Sequence, residues 1–143
     1  MNGDLDPRLR EAPSPLSETL GFEMTGWSDG YARIEAPLAD QLMNRQGLPH
    51  GGVYAAMLDT AMGFCGCYTG DPEIRQNALT LSMTVNFLSR ATGSRLIAEA
   101  RVTGGGRSTF FARAEVQDDT GARIAEATGV FKLRSSKTTT VTK

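Results

Sequence analysis

The 143-residue chain has only two cysteines, one tryptophan, one histidine and six prolines, and each scarcity removes a class of answer. Cys65 and Cys67 stand two apart inside an apolar run, so they build no disulfide framework, and C-x-C with one histidine elsewhere is a poor zinc site. They read as small core residues in a reducing, cytoplasmic setting, with no metal expected. No apolar run reaches the roughly 18 residues of a membrane span. Met1 to Pro15 holds Asp4, Asp6, Arg8, Arg10 and Glu11 where a secretory signal would have an apolar core. Neither sign of charge dominates, since 15 Lys and Arg against 16 Asp and Glu leave a net charge of -1, and nothing favours nucleic acid as a partner. The length suits one domain.

Glycine is the residue in excess. There are 16 in the chain, roughly 11% against an average near 7%, and turns between short strands are the first explanation. Leu79, Leu81, Met83, Val85 and Phe87 alternate with polar residues at the strand period of two. The period returns in Leu96 to Val102, Phe110 to Val116 and Ala125 to Leu133, separated by Thr92-Gly93-Ser94, Gly104 to Gly106 and Asp118 to Gly121. These four segments predict an antiparallel meander. Two more strands, Phe22 to Trp27 and Ala32 to Leu38, precede them around Ser28-Asp29-Gly30. Between the two groups, Gly51 to Gly70 carries one charge, Asp59, in twenty residues. Its length and its Ala, Met and Leu content predict a helix apolar on nearly every face, and hence one wrapped by the sheet.

Gly26-Trp27-Ser28-Asp29-Gly30 spells G-x-S-x-G, and Asp40 and His50 follow it in hydrolase order. A strand rather than a helix follows, so the stretch reads as a hairpin turn. Gly104 to Gly106 lacks the Lys-Ser/Thr of a phosphate loop. The informative stretch is Asn44 to Gly52, which leads into the helix. A helix starting at Gly51 and Gly52 offers free N–H groups and a positive end to an anion or a carbonyl oxygen. About two turns further, Asp59 would leave an apolar wall, where burial raises a carboxyl pKa and suits a base or a nucleophile. Each residue also has a plainer reading: Asp59 as a structural cap or bridge, His50 as a satisfied hydrogen-bonding histidine.

Asn44, Gly47, His50-Gly51-Gly52 and Asp59, in register, resemble the helix-entry motif of the hotdog-fold acyl-CoA thioesterases of the PaaI-like, phenylacetic-acid-degradation type. Asn86-Phe87-Leu88 followed by Arg90, then Gly106-Arg107-Ser108, and the closing strand extend the resemblance over residues 15–134. It implies an α+β hotdog fold, about six antiparallel strands around one long central α-helix; residues 1–14 are left as an extension, and 135–143, polar and without core residues, read as a disordered tail. It implies that Asp59 activates water or attacks the thioester, and that the Gly51 N–H polarises the carbonyl. Asn44 and His50 would hold the thioester end, and Thr80 would orient the water. Gly52, Arg90, Arg107 and Ser108 become substrate-binding candidates, although the arginines read equally well as a solvated face. The resemblance further implies a homodimer assembling to a homotetramer with sites shared between subunits, and no cofactor beyond the coenzyme A of the substrate.

The expected activity is hydrolysis of a medium-chain or aromatic acyl-CoA, with Met57, Met62 and Phe64 either lining the acyl pocket or serving as plain core. A thioester carbonyl is already electrophilic, so a carboxylate and an oxyanion donor suffice. A hotdog enoyl-CoA hydratase or dehydratase using His50 and Asp59, or a non-catalytic acyl-CoA binder, are the alternatives.

Overall fold

Alternation and turn chemistry make the strands. In the computed structural model, which describes residues 3–135, β1 (Glu23–Ser28) and β2 (Tyr31–Pro37) form a hairpin whose turn takes Gly30 at φ +69°, a conformation that favours glycine. The inward positions of β2, Ala32, Ile34 and Ala36, are buried. β4 (Arg95–Gly105), β5 (Thr109–Asp118) and β6 (Arg123–Ser135) follow the predicted periods, and β3 (Gln76–Phe87) completes a six-stranded antiparallel sheet. Residues 136–143, to which most of the expected disordered tail belongs, lie outside the described residues.

The order across the sheet is β1-β2-β4-β5-β6-β3, so only β4 to β6 form a meander. β3 pairs with β6 at the edge. The reason is the linker 88–94, which crosses the ends of β6 and β5 before β4 begins: Leu88 N and Ser89 N donate to Ile124 O, and Thr92 N and Gly93 N donate to Asp118 Oδ2.

A second departure lies within β3. The pattern from Leu79 to Phe87 predicts a single apolar face, but Leu81 bulges between the pairs Thr80–Phe131 and Ser82–Val130. One extra residue reverses the facing of everything before it. Met83 and Val85 pack on the core, as does Ala78, while Leu79 and Leu81 stay exposed and Thr80 turns inward.

The long helix α2 (Gly51–Cys65) lies on the inner face of the sheet. Val53, Tyr54, Met57, Leu58, Ala61, Met62 and Cys65 are its buried side. Small residues opposite, Ala98, Ala100, Ala112 and Ala114, leave room for Met57, Leu58 and Met62. Each such large side chain contributes roughly 1.5–3 kcal/mol of burial. The helix is not enclosed all round. Gly52, Ala55, Ala56, Asp59, Thr60 and Gly63 form a stripe that is half-exposed or open, because no strand of the sheet covers the outer side.

Cys65 and Cys67 are buried free thiols, and desolvation pushes them up to about 12 and about 11. They stay protonated and inert at neutral pH. The segment before β1 is more organised than its polar composition suggests. Asp6 caps a 3₁₀ turn that buries Leu9, and the short helix α1 (Pro15–Leu20) has Ser14 as N-cap and Gly21, at φ +74°, as C-cap. Ser14, Pro15 and Gly21 are cap, first-turn and stop residues. Six residues without apolar periodicity hid that helix.

Asp118, 1% exposed, is the one buried charged residue among those described. The Thr120 hydroxyl beside it, together with the N–H groups of Thr92, Gly93 and Thr120, holds its carboxyl well below the usual carboxylate range despite burial. It pins the crossover linker to the β5–β6 turn. Asp118→Ala should destabilise the fold by about 2 kcal/mol, since it removes the acceptor shared by several part-buried donors, as read by urea unfolding. Because folding lowers this pKa, the contribution is complete above the ordinary value of about 3.9 and is lost as pH falls below it. A variant whose stability matches the parent at pH 7 would show that the cradle is dispensable.

Candidate active site

The entry to α2 is built by a tight loop. Asn44 Oδ1 accepts hydrogen bonds from Gln46 N at 2.8 Å and Leu48 N at 3.2 Å, Asn44 N donates to Leu48 O, and Gly47 takes φ +74°. Asn44 is thus occupied in shaping the loop, with its amide NH2 left to donate. His50 N donates to Leu42 O at 2.8 Å, which returns the chain to the core. The His50 side chain is the N-cap, with Nδ1 accepting from Gly52 N at 2.8 Å. An imidazole accepting at Nδ1 carries its proton on Nε2, and that side chain is exposed. Gly52 therefore spends its N–H on the cap. The Gly51 N–H, at the first helical position, has no acceptor among the described residues, and the Phe87 ring lies beside it, 3.4 Å from where a Cβ would stand.

Asp59 sits eight residues along α2, on its open stripe. It is half-exposed rather than enclosed in an apolar wall, since its flank of the helix faces the β3 edge. Thr80 Oγ1 donates to Asp59 Oδ1 at 2.6 Å. Only the bulge at Leu81 makes this contact, because Thr80 would otherwise share the outward parity of Ser82. The hydroxyl proton is committed to the carboxylate, while the lone pairs of Oγ1 remain able to accept from a water. Asp59 Oδ2 has no partner among the described residues and keeps its lone pairs free.

Eight residues at 1.5 Å rise place Gly51 N about 12 Å from Asp59 along the axis. No single carbonyl group, with a C=O bond of about 1.23 Å, can meet both within one chain. The binding candidates divide in the same way. Arg107 and Ser108 are exposed in the β4–β5 hairpin, where Leu133 N donates to Ser108 O, at the Thr80 end of the sheet. Arg90 is exposed just past Ser89, at the opposite end of β3 beside the entry to α2. Met57 and Met62 are fully buried against the sheet and cannot line an acyl site, whereas Phe64 is half-buried and borders a cavity. Two features went unread in the sequence: Phe87 as a wall of the helix entry, and the pairing of Thr80 with Asp59. The first hid inside the strand alternation and the second depends on the bulge.

The thioesterase superfamily model matches residues 46–125, a span that contains the α2 entry, Asp59 and Thr80. A Halobacterium salinarum protein is 32% identical over 124 residues, 85% of this chain and 82% of that one. The medium/long-chain acyl-CoA thioesterase YigI of Escherichia coli is 26% identical over 132 residues, 83% of this chain and 85% of its own. The solved structure of the E. coli PaaI protein from the phenylacetic acid degradation operon shares the fold, with a TM-score of 0.73 at 21% identity over 83% of each chain.

Proposed function

This chain belongs to the thioesterase superfamily, and from that premise we propose that it hydrolyses acyl-CoA to free acid and coenzyme A in sites shared by two subunits. The observation that carries the reading is the Asp59–Thr80 pair at one end of β3 with the free Gly51 N–H at the other. β3 is a twelve-residue edge strand with Leu81 and Phe87 each 58% exposed. Such an unprotected apolar edge is a template for pairing with another chain. Antiparallel pairing of two β3 strands about a two-fold axis sets the Thr80 end of one against the Phe87 end of the other. Gly51 and His50 of the partner subunit then face Asp59, and Arg90 of the partner subunit joins Arg107 and Ser108, where the coenzyme A phosphates would bind.

In that arrangement the partner's helix N-terminus holds the carbonyl oxygen, and its N–H bond strengthens as negative charge grows in the tetrahedral intermediate. Asp59 Oδ2 takes a proton from water as the water oxygen bonds to the carbonyl carbon, or bonds to that carbon itself to give an anhydride that water later opens. In either route the C–S bond breaks and the thiolate leaves, to be protonated. Thr80 fixes the carboxylate rotamer. The hydratase alternative needs a base at the β-carbon, and His50 has its only basic nitrogen tied to Gly52 N. As a neutral donor, Nε2–H suits the thioester oxygen or the coenzyme A arm.

A panel of acyl-CoA and aryl-CoA esters should release free thiol, and an enoyl-CoA should release thiol while its conjugated absorbance persists. Loss of the conjugated absorbance without thiol would make the protein a hydratase. Size exclusion should return a dimer or a multiple of it. An active monomer would sink the shared site.

A further inference from the structure

A cavity of about 200 Å³ opens between the segment before β1 and the open flank of α2, bordered by Ser17, Phe22, Met24, Ile34, Thr60 and Phe64 among others. Its lining is more apolar than polar, with Arg10, Glu11 and Glu23 also on its border. Phe22 and Ile34 are buried, and Met24 and Phe64 pack against the core. Phe64 is held edge-on to Trp27 with ring centroids 5.5 Å apart, and Trp27 Nε1 donates to Phe64 O at 2.9 Å, so this wall is fixed. The cavity lies around the helix from Asp59, and Thr60, the residue after Asp59, is on its border.

We propose that this cavity receives the far end of the substrate's acyl chain, and therefore that the substrates are linear acyl groups of medium to long length rather than aryl-acetyl groups. The inference rests on the thioesterase reading and adds a substrate class to it. Successive helix residues are 100° apart, and on a helix about 10 Å across the arc from Asp59 to Thr60 is roughly 9 Å. Between them lie Gly63 and Ala56, which raise at most a methyl group. An extended chain advances roughly 1.2 Å per bond, from the reach of about 3.5 Å per three-bond residue, so about seven bonds cross the helix before the cavity begins. An apolar cavity of about 150 Å³ admits a benzene ring, so this one takes roughly six further carbons. A phenylacetyl group held at Asp59 is too short to enter it. A chain near twelve carbons fills it.

The test compares kcat/KM for dodecanoyl-CoA with that for hexanoyl-CoA in the full chain. Ser17→Phe, which adds a ring to the cavity wall, should lower the dodecanoyl-to-hexanoyl ratio at least tenfold. Met24→Ala, which enlarges the cavity, should move the optimum to longer chains by about two carbons. Circular dichroism identifies a variant that fails to fold, and either variant decides alone. A ratio and an optimum that stay put in the folded variants, or equal losses on both substrates, would overturn the cavity as acyl site while leaving the hydrolysis intact. An unaltered chain that releases thiol from no acyl-CoA would overturn the thioesterase reading, and the cavity assignment with it.

Discussion

Asp59→Ala should lower kcat for acyl-CoA hydrolysis by about 10²–10⁴-fold, the contribution expected of a positioned acid–base group, with a smaller change in KM. The side chain contributes little to the fold. It is half-exposed, and among the described residues its side-chain partner is the Thr80 hydroxyl, a hydrogen bond worth about 1 kcal/mol. Asp59→Asn sharpens the result: the amide oxygen can still accept from Thr80 Oγ1, but the side chain has no basic oxygen and is a poor nucleophile. Equal loss in both variants assigns the effect to the carboxylate charge rather than to shape. Thr80→Val should cost less, since it frees the carboxylate rotamer without removing the charge. Unchanged kcat in Asp59→Ala across the ester panel would end the assignment.

Gly51→Pro should lower kcat by about 10²–10³-fold, the usual cost of one oxyanion donor, with little loss of stability. The substitution deletes the N–H and little else. Proline is favoured at the first position of a helix, and the preceding residue must be extended, as His50 already is at φ -63° and ψ 137°. A Cβ at Gly51 meets the Phe87 ring at 3.4 Å, an ordinary contact. Because Gly51 and Asp59 are about 12 Å apart on one helix, the shared site makes a sharper demand. Gly51→Pro and Asp59→Asn chains, each inactive alone, should regain about a quarter of the parent activity on equimolar mixing, since half the two-fold pairs hold one intact site. Failure to recover, with exchange shown by tagged chains, would place both groups in one subunit.

Much of the fold was legible in the residues. The period-two segments, the single-charge run from Gly51 and the glycines at turns mark six strands and one helix, because strand and helix periods follow from backbone geometry and from which face is buried. Asn44, His50-Gly51-Gly52 and Asp59 mark the helix entry for the same local reason, as caps and free N–H groups belong to a few consecutive residues. The six-residue helix α1 escaped because it has no apolar stripe to reveal it.

Strand order and facing were decided elsewhere. No period in the chain tells β3 to lie beside β6, which results from a linker crossing two strand ends under the grip of Asp118. Nor does alternation disclose that Leu81 is bulged, since the apolar pattern runs unbroken through it; the match of β3 to β6 across the sheet expels one residue. That expulsion turns Thr80 toward Asp59. The sequence by itself determined the glycine entry of the helix, the single carboxylate on it and the length of helix separating Gly51 from Asp59. Only the tertiary structure decided that the carboxylate has a hydroxyl partner, that Arg90 and Arg107 lie at opposite ends of the sheet, and that a cavity adjoins Thr60. Those facts depend on pairings between segments far apart in the chain, and such pairings are settled by closure of the whole sheet rather than by local period.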